Sequence, residues 1–138
     1  MTPLHWLAQR GRISTMKRLL KHKDVNVNAQ TASGETPLHY AVLSGNTLCL
    51  KILLSQKEID PNLTFSSRQY PRLTPLHLAI SLGYLESVKI LLQSPSVDVT
   101  IKTRTSLTAL DLANQSATAN KDEIITLVRK ALNMPEDL

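Results

Sequence analysis

The sequence predicts an all-α solenoid, assembled by stacking four copies of one helix-turn-helix unit that ends in an extended loop. Three observations predict it. The tetrapeptide Thr-Pro-Leu-His stands at Thr2–His5, Thr36–His39 and Thr74–His77, with a weakened fourth copy at Thr108-Ala109-Leu110-Asp111, so the spacings are 34, 38 and 34 residues. The leucine pairs Leu19-Leu20, Leu53-Leu54 and Leu91-Leu92 lie eight and nine residues beyond Gly11, Gly45 and Gly83. A short extended segment then follows in each copy: Val25-Asn26-Val27-Asn28, Ile59-Asp60-Pro61-Asn62 and Val97-Asp98-Val99-Thr100. A period of this length marks units that stack on their neighbours.

Each element has a local cause. Threonine ahead of proline is a good N-cap, and proline at the first helical position gives up an amide that would have had no partner. The first helix therefore starts at Thr-Pro and runs to the glycine, where a residue without a β-carbon turns the chain. The second helix carries apolar residues at three- and four-residue spacing, such as Ile13, Met16, Leu19 and Leu20, or Leu85, Val88, Leu91 and Leu92. No single unit hides that apolar face. Leu19, Leu20, Leu53, Leu54, Leu91 and Leu92 are therefore assigned to a spine shared between stacked units.

The tetrapeptide, the period and the order helix, turn, helix, loop resemble the ankyrin repeat. The resemblance covers residues 2–132 and implies an ankyrin-repeat solenoid whose loops are hairpin-like fingers. It divides a single domain over 1–138 into repeats at about 2–35, 36–73, 74–107 and 108–134, the last a C-terminal cap. It implies that the fingers and the first helices line a concave binding face. It also implies that His5, His39 and His77 are structural clasps, hydrogen-bonded within and between repeats. A shared metal ion is excluded on the same ground, because stacked repeats hold equivalent residues several times farther apart than the roughly 2 Å of a zinc–ligand bond.

The chain departs from the family pattern in four places. The glycine that usually closes the second helix is replaced by Asp24, Glu58 and Ser96, each with one extra residue beside it, which reads as a longer joint into the loop. Ile59 to Thr74 spans 15 residues where Val25 to Thr36 and Val97 to Thr108 span 11, so the second finger is four residues longer. At the N-terminus no extended segment precedes Thr2: either the chain was cut from a longer protein or Trp6 covers the end. The fourth unit lacks the glycine, and its last helix opens with Asp122-Glu123 and closes with Arg129-Lys130, a charge order that suits the helix dipole.

Composition excludes several function classes. No run of apolar residues is long enough to span a membrane, and the N-terminus does not read as a signal peptide. The single cysteine, Cys49, rules out an internal disulfide and the usual zinc spacings, and it stands where Thr15 and Ser87 stand, a packing position. No phosphate loop, paired carboxylates or hydrolase signature is present, so no cofactor, no metal and no enzymatic activity are expected. The formal net charge is +5, distributed as +4 over residues 1–35, +2 over 36–73, +1 over 74–107 and −2 over 108–138. The basic group Arg10, Arg12, Lys17, Arg18, Lys21, His22 and Lys23 is read as the solvated side of an amphipathic helix with one nearby aromatic, Trp6. Nucleic acid is thus an unlikely partner and an acidic protein surface a better one.

The expected function is a protein-protein interaction scaffold, monomeric and cytoplasmic. The candidate contacts are Phe65, Arg68, Tyr70 and Arg72 on the long finger, Thr31, Ser33 and Arg104 on its neighbours, and the first-helix positions Gln9, Arg10, Leu43, Ser44, Ser81 and Leu82 that the family varies for binding. Tyrosine and arginine are enriched in binding hot spots, and an apolar residue such as Leu43 or Leu82 on a concave face suits a partner better than water. Phe65 admits a second reading, as packing for the finger. Two further readings stay open: a targeting arm within a larger enzyme complex or effector, and nucleic-acid binding through the basic first repeat. Small ankyrin-repeat proteins also occur among effectors that bacteria deliver into the host cytosol.

Overall fold

The computed structural model describes residues 1–67 and 72–133. Among them are eight helices: α1 (Pro3–Arg10), α2 (Ile13–Leu19), α3 (Pro37–Ser44), α4 (Thr47–Leu54), α5 (Pro75–Leu82), α6 (Leu85–Gln93), α7 (Ala109–Gln115) and α8 (Lys121–Ala131). Each first helix begins where the sequence places a threonine cap. Thr36 Oγ1 accepts from the His39 amide at 3.4 Å, Thr74 Oγ1 from His77 at 3.2 Å, and Thr108 Oγ1 from Asp111 at 3.1 Å. Gly11, Gly45 and Gly83 end α1, α3 and α5 in the left-handed region, with φ of 67°, 70° and 71°. A side chain there would be strained.

The helices form two layers. The first helices α1, α3, α5 and α7 touch one another in sequence order, as do the second helices α2, α4, α6 and α8, and the two helices of every unit pack together. Equivalent residues meet along the spine: Leu4, Leu38 and Leu76 from one layer and Met16, Leu50 and Val88 from the other are all at most 2% exposed. Of the paired leucines, Leu53 and Leu91 are fully buried, while Leu19, Leu20, Leu54 and Leu92 are half-buried and pack against that core. Burying a leucine contributes about 1.5–3 kcal/mol, and two adjacent units share each contribution. Cys49 lies in the same core, where burial pushes its thiol pKa up.

The joints between second helix and loop need no glycine. Each is a tight turn closed by a backbone bond, from Val25 N to His22 O (3.4 Å), from Ile59 N to Gln56 O (3.3 Å) and from Val97 N to Ser94 O (3.2 Å). None of their residues has positive φ. In the fourth unit Ser116 takes an extended conformation where the other units have glycine, and Asn120 Nδ2 donates to Gly83 O at 2.9 Å, tying α8 to the unit before it.

A ladder of asparagines stitches successive loops. Asn28 Nδ2 donates to Glu58 O and its Oδ1 accepts from Asp60 N, both at 2.8 Å. Asn62 repeats the arrangement one unit on, donating to Ser96 O at 2.9 Å and accepting from Asp98 N at 2.8 Å. Thr100, the equivalent residue in the third unit, bonds only within its own loop, to Asp98. Asn62→Ala removes both cross-loop bonds and strands a backbone carbonyl and amide. It should lower stability by about 1–2 kcal/mol, read as a shifted urea midpoint, whereas Thr100→Ala should shift it less.

Candidate functional site

The fingers are built on hairpin rungs. Thr31 N donates to Glu35 O at 3.0 Å, and Thr103 N to Leu107 O at 2.9 Å. In the long finger Phe65 and Leu73 form a two-way antiparallel rung, with N–H to O distances of 3.0 and 2.9 Å. Three residues separate the ends of the first and third rungs and seven separate those of the second, so all four extra residues lie in sequence between the two ends of the second rung. The residue before each rung closes has positive φ: Gly34 (95°), Arg72 (57°) and Ser106 (64°). Ser66 N donates to Ser33 O at 2.9 Å, which fixes the long finger against its neighbour. The approach is so close that a β-carbon on Gly34 would stand 2.9 Å from Thr64 O.

Three buried histidines anchor the fingers to the helices. His39 Nδ1 accepts from Thr36 N at 3.0 Å, and its Nε2 lies 3.0 Å from Leu73 O, at the base of the long finger. His5 makes the same pair of contacts, to Thr2 N at 3.0 Å and to Glu35 O at 2.9 Å. His77 bonds Thr74 N at 3.2 Å and Ile101 O at 2.9 Å. With Nδ1 accepting, Nε2 carries the proton and donates, so each ring is neutral. Burial lowers the pKa of all three, that of His39 to about 4. In the fourth unit the Asp111 carboxylate accepts from Thr108 N at 3.0 Å but reaches no following finger; that bond and the Thr108 hydroxyl lower its pKa.

The sequence-predicted contacts fall into distinct groups. Gln9, Arg10, Leu43, Ser44, Ser33, Arg72 and Arg104 are exposed; Thr31, Ser81 and Leu82 are half-buried. Two of them have internal duties: Thr31 accepts from Glu35 N at 3.2 Å, and Ser44 Oγ donates to Ala8 O at 3.2 Å. Arg68 and Tyr70 lie outside the described residues. Of the two readings of Phe65, contact and packing, its burial favours packing. Phe65 is 4% exposed and meets the His39 ring edge-on, centroids 4.8 Å apart, so its side chain braces the finger from inside.

Two aromatics that the sequence reading did not place among the contacts stand at one repeat-equivalent position of the first helices. Trp6 is 47% exposed, and the Arg10 guanidinium lies 5.1 Å from its ring centroid. Tyr40, one unit on, is half-buried and edge-on to His5 at 5.4 Å. Burial, with the Glu35 carboxylate nearby, pushes its hydroxyl pKa up. The available signal was two aromatics four residues after Thr2 and Thr36. Leu48, at 59% exposed, was also missed; it stands just past Gly45 from Leu43.

Among the described residues no group of three or more histidine, cysteine or acidic side chains is placed to hold a metal, and no helix is long and apolar enough to cross a membrane. No curated protein matches the sequence. Two family models do, one described as Ankyrin repeats (3 copies) over residues 1–65 and one as Ankyrin repeat over residues 72–104. With the tetrapeptide, the helix stacking and the finger geometry in agreement with both matches, the chain belongs to the ankyrin-repeat family.

Proposed function

We propose that this protein is a non-catalytic scaffold that grips a protein partner between its first-helix face and its long second finger. Ankyrin repeats are in general protein-interaction modules. The observation that carries the finer reading is the insertion in the second finger. The four-residue insertion that holds Arg68 and Tyr70 is joined to a rung that His39, Phe65 and the first finger brace, so the base on which those side chains and Arg72 depend is preorganised. Gln9, Arg10, Leu43, Ser44, Ser81 and Leu82 supply the helix side of the grip, with Trp6 beside Arg10, while Thr31, Ser33 and Arg104 supply the flanking fingers. Four of these groups are arginines, which suits an acidic surface on the partner. A monomer in a reducing intracellular compartment fits the single, buried Cys49.

The test pairs capture of a partner with a variant of the long finger. Tyr70→Ala should weaken the complex by about 1–2 kcal/mol, roughly tenfold, and leave the thermal midpoint unchanged. A fallen midpoint with unchanged binding would make Tyr70 a packing residue and move the site elsewhere. Recovery of nucleic acid alone would overturn the reading.

A further inference from the structure

A second surface lies in the other layer, between α2 and α4. Two adjoining cavities run along it. One, of about 330 Å³, is bordered by Lys17, Leu20, Lys21 and Ile52. The other, of about 250 Å³, shares Leu20, Lys21 and Gln56 with the first and continues past His22, Lys23 and Lys57 to Val25 and Val27. Together they make one groove with aliphatic walls and a lysine rim.

The charge along this groove is predominantly positive. Helices α2 and α4 carry Lys17, Arg18 and Lys51 and no carboxylate. Glu58 is the one acidic residue lining the two cavities, and it makes no ion pair with a described residue. Among the described residues the single ion pair is Lys89 with Glu86, at 3.5 Å on α6. Lys17, Lys21, Lys23 and Lys57 are thus exposed ammonium groups beside half-buried Leu20 and Ile52, and among the described residues none of them forms an ion pair.

We propose that this groove binds an acidic peptide segment with interleaved aliphatic side chains. Carboxylates would meet the lysine rim, and the aliphatic side chains would cover Leu20 and Ile52. One exposed ion pair is worth little, so affinity requires several carboxylates spaced along the groove together with the apolar contacts. The lining disfavours nucleic acid, since it holds no tryptophan, tyrosine or phenylalanine and His22 is its single ring, too little for successive bases to stack on. The surface is on the layer opposite the first helices and is independent of the finger site.

Fluorescence anisotropy with a labelled synthetic glutamate-leucine peptide, titrated with the full chain at low and physiological salt, tests this. The peptide should bind, and Lys21→Glu combined with Lys57→Glu should weaken it at least tenfold, circular dichroism confirming that the variant is folded. A polyglutamate lacking leucine should bind more weakly, and Leu43→Glu on the first-helix face should leave binding unchanged, separating this groove from the finger site. The proposal is overturned by no binding at low salt, by equal binding to the folded double variant, by loss through Leu43→Glu alone, or by a single-stranded oligonucleotide of equal charge that competes more tightly than the peptide.

Discussion

Leu91→Ala lowers the unfolding free energy by about 2–5 kcal/mol, the range for deleting a fully buried leucine from a core that relaxes only in part. Leu91 is 0% exposed in α6, a helix that packs against α4, α5 and α8. A repeat array gains stability from its units and from the interfaces between them, and one cavity here weakens both interfaces of the third unit. Since a domain of this size is stable by only about 5–15 kcal/mol, the variant should lose a large share of its urea resistance. Lys17→Ala, at an exposed position on α2, serves as the control and should shift the midpoint hardly at all. A loss below about 1 kcal/mol at Leu91 would show that the third unit does not share its core.

Acidification gives the second large effect. Histidine ordinarily titrates near 6.5, and burial lowers His39 to about 4, with His5 and His77 shifted the same way. Between those two pH values the unfolded chain binds a proton that the folded chain refuses, so acid favours unfolding. The stability is complete above about pH 6.5 and falls as pH drops toward 4. A depression of this size at His39 alone corresponds to about 3 kcal/mol, and the other two clasps add to it. Urea midpoints measured at about pH 7 and about pH 4.5 should differ clearly, and His39→Gln, less stable at neutral pH, should show a shallower loss on acidification. A wild-type midpoint that is flat across this range would place the histidines in contact with water.

Most of the architecture was legible because one tetrapeptide encodes several structural instructions. Thr36 caps, Pro37 opens the helix, Leu38 enters the spine and His39 ties the helix to the finger that follows. Periodicity sufficed for the layers as well, since Met16, Leu50 and Val88 occupy one register position and meet in one core. Other features depend on partners distant in sequence and were not legible. Asn28 and Asn62 looked like ordinary polar residues of an extended segment; their role appears only when the next loop is stacked against them. Phe65 could face either way until the rung with Leu73 turned its ring against His39. The length of the second finger was plain from counting, but placing the extra residues between the two ends of its rung required knowing which residues pair. The lysine-rimmed groove was half visible: the basic residues of α2 stood out, whereas the apolar walls come from the meeting of α2 with α4.

The central physical claim is that four units share one continuous core, so that damage in one is felt throughout the stack. Trp6, the single tryptophan, sits in α1 at the far end from α6 and reports on the first unit alone. Urea unfolding of Leu91→Ala should therefore be followed by Trp6 fluorescence and by far-ultraviolet circular dichroism on the same samples. The account predicts that both transitions move to lower urea together and stay superimposed. A Trp6 transition left at its wild-type midpoint while the helical signal is lost early would contradict it.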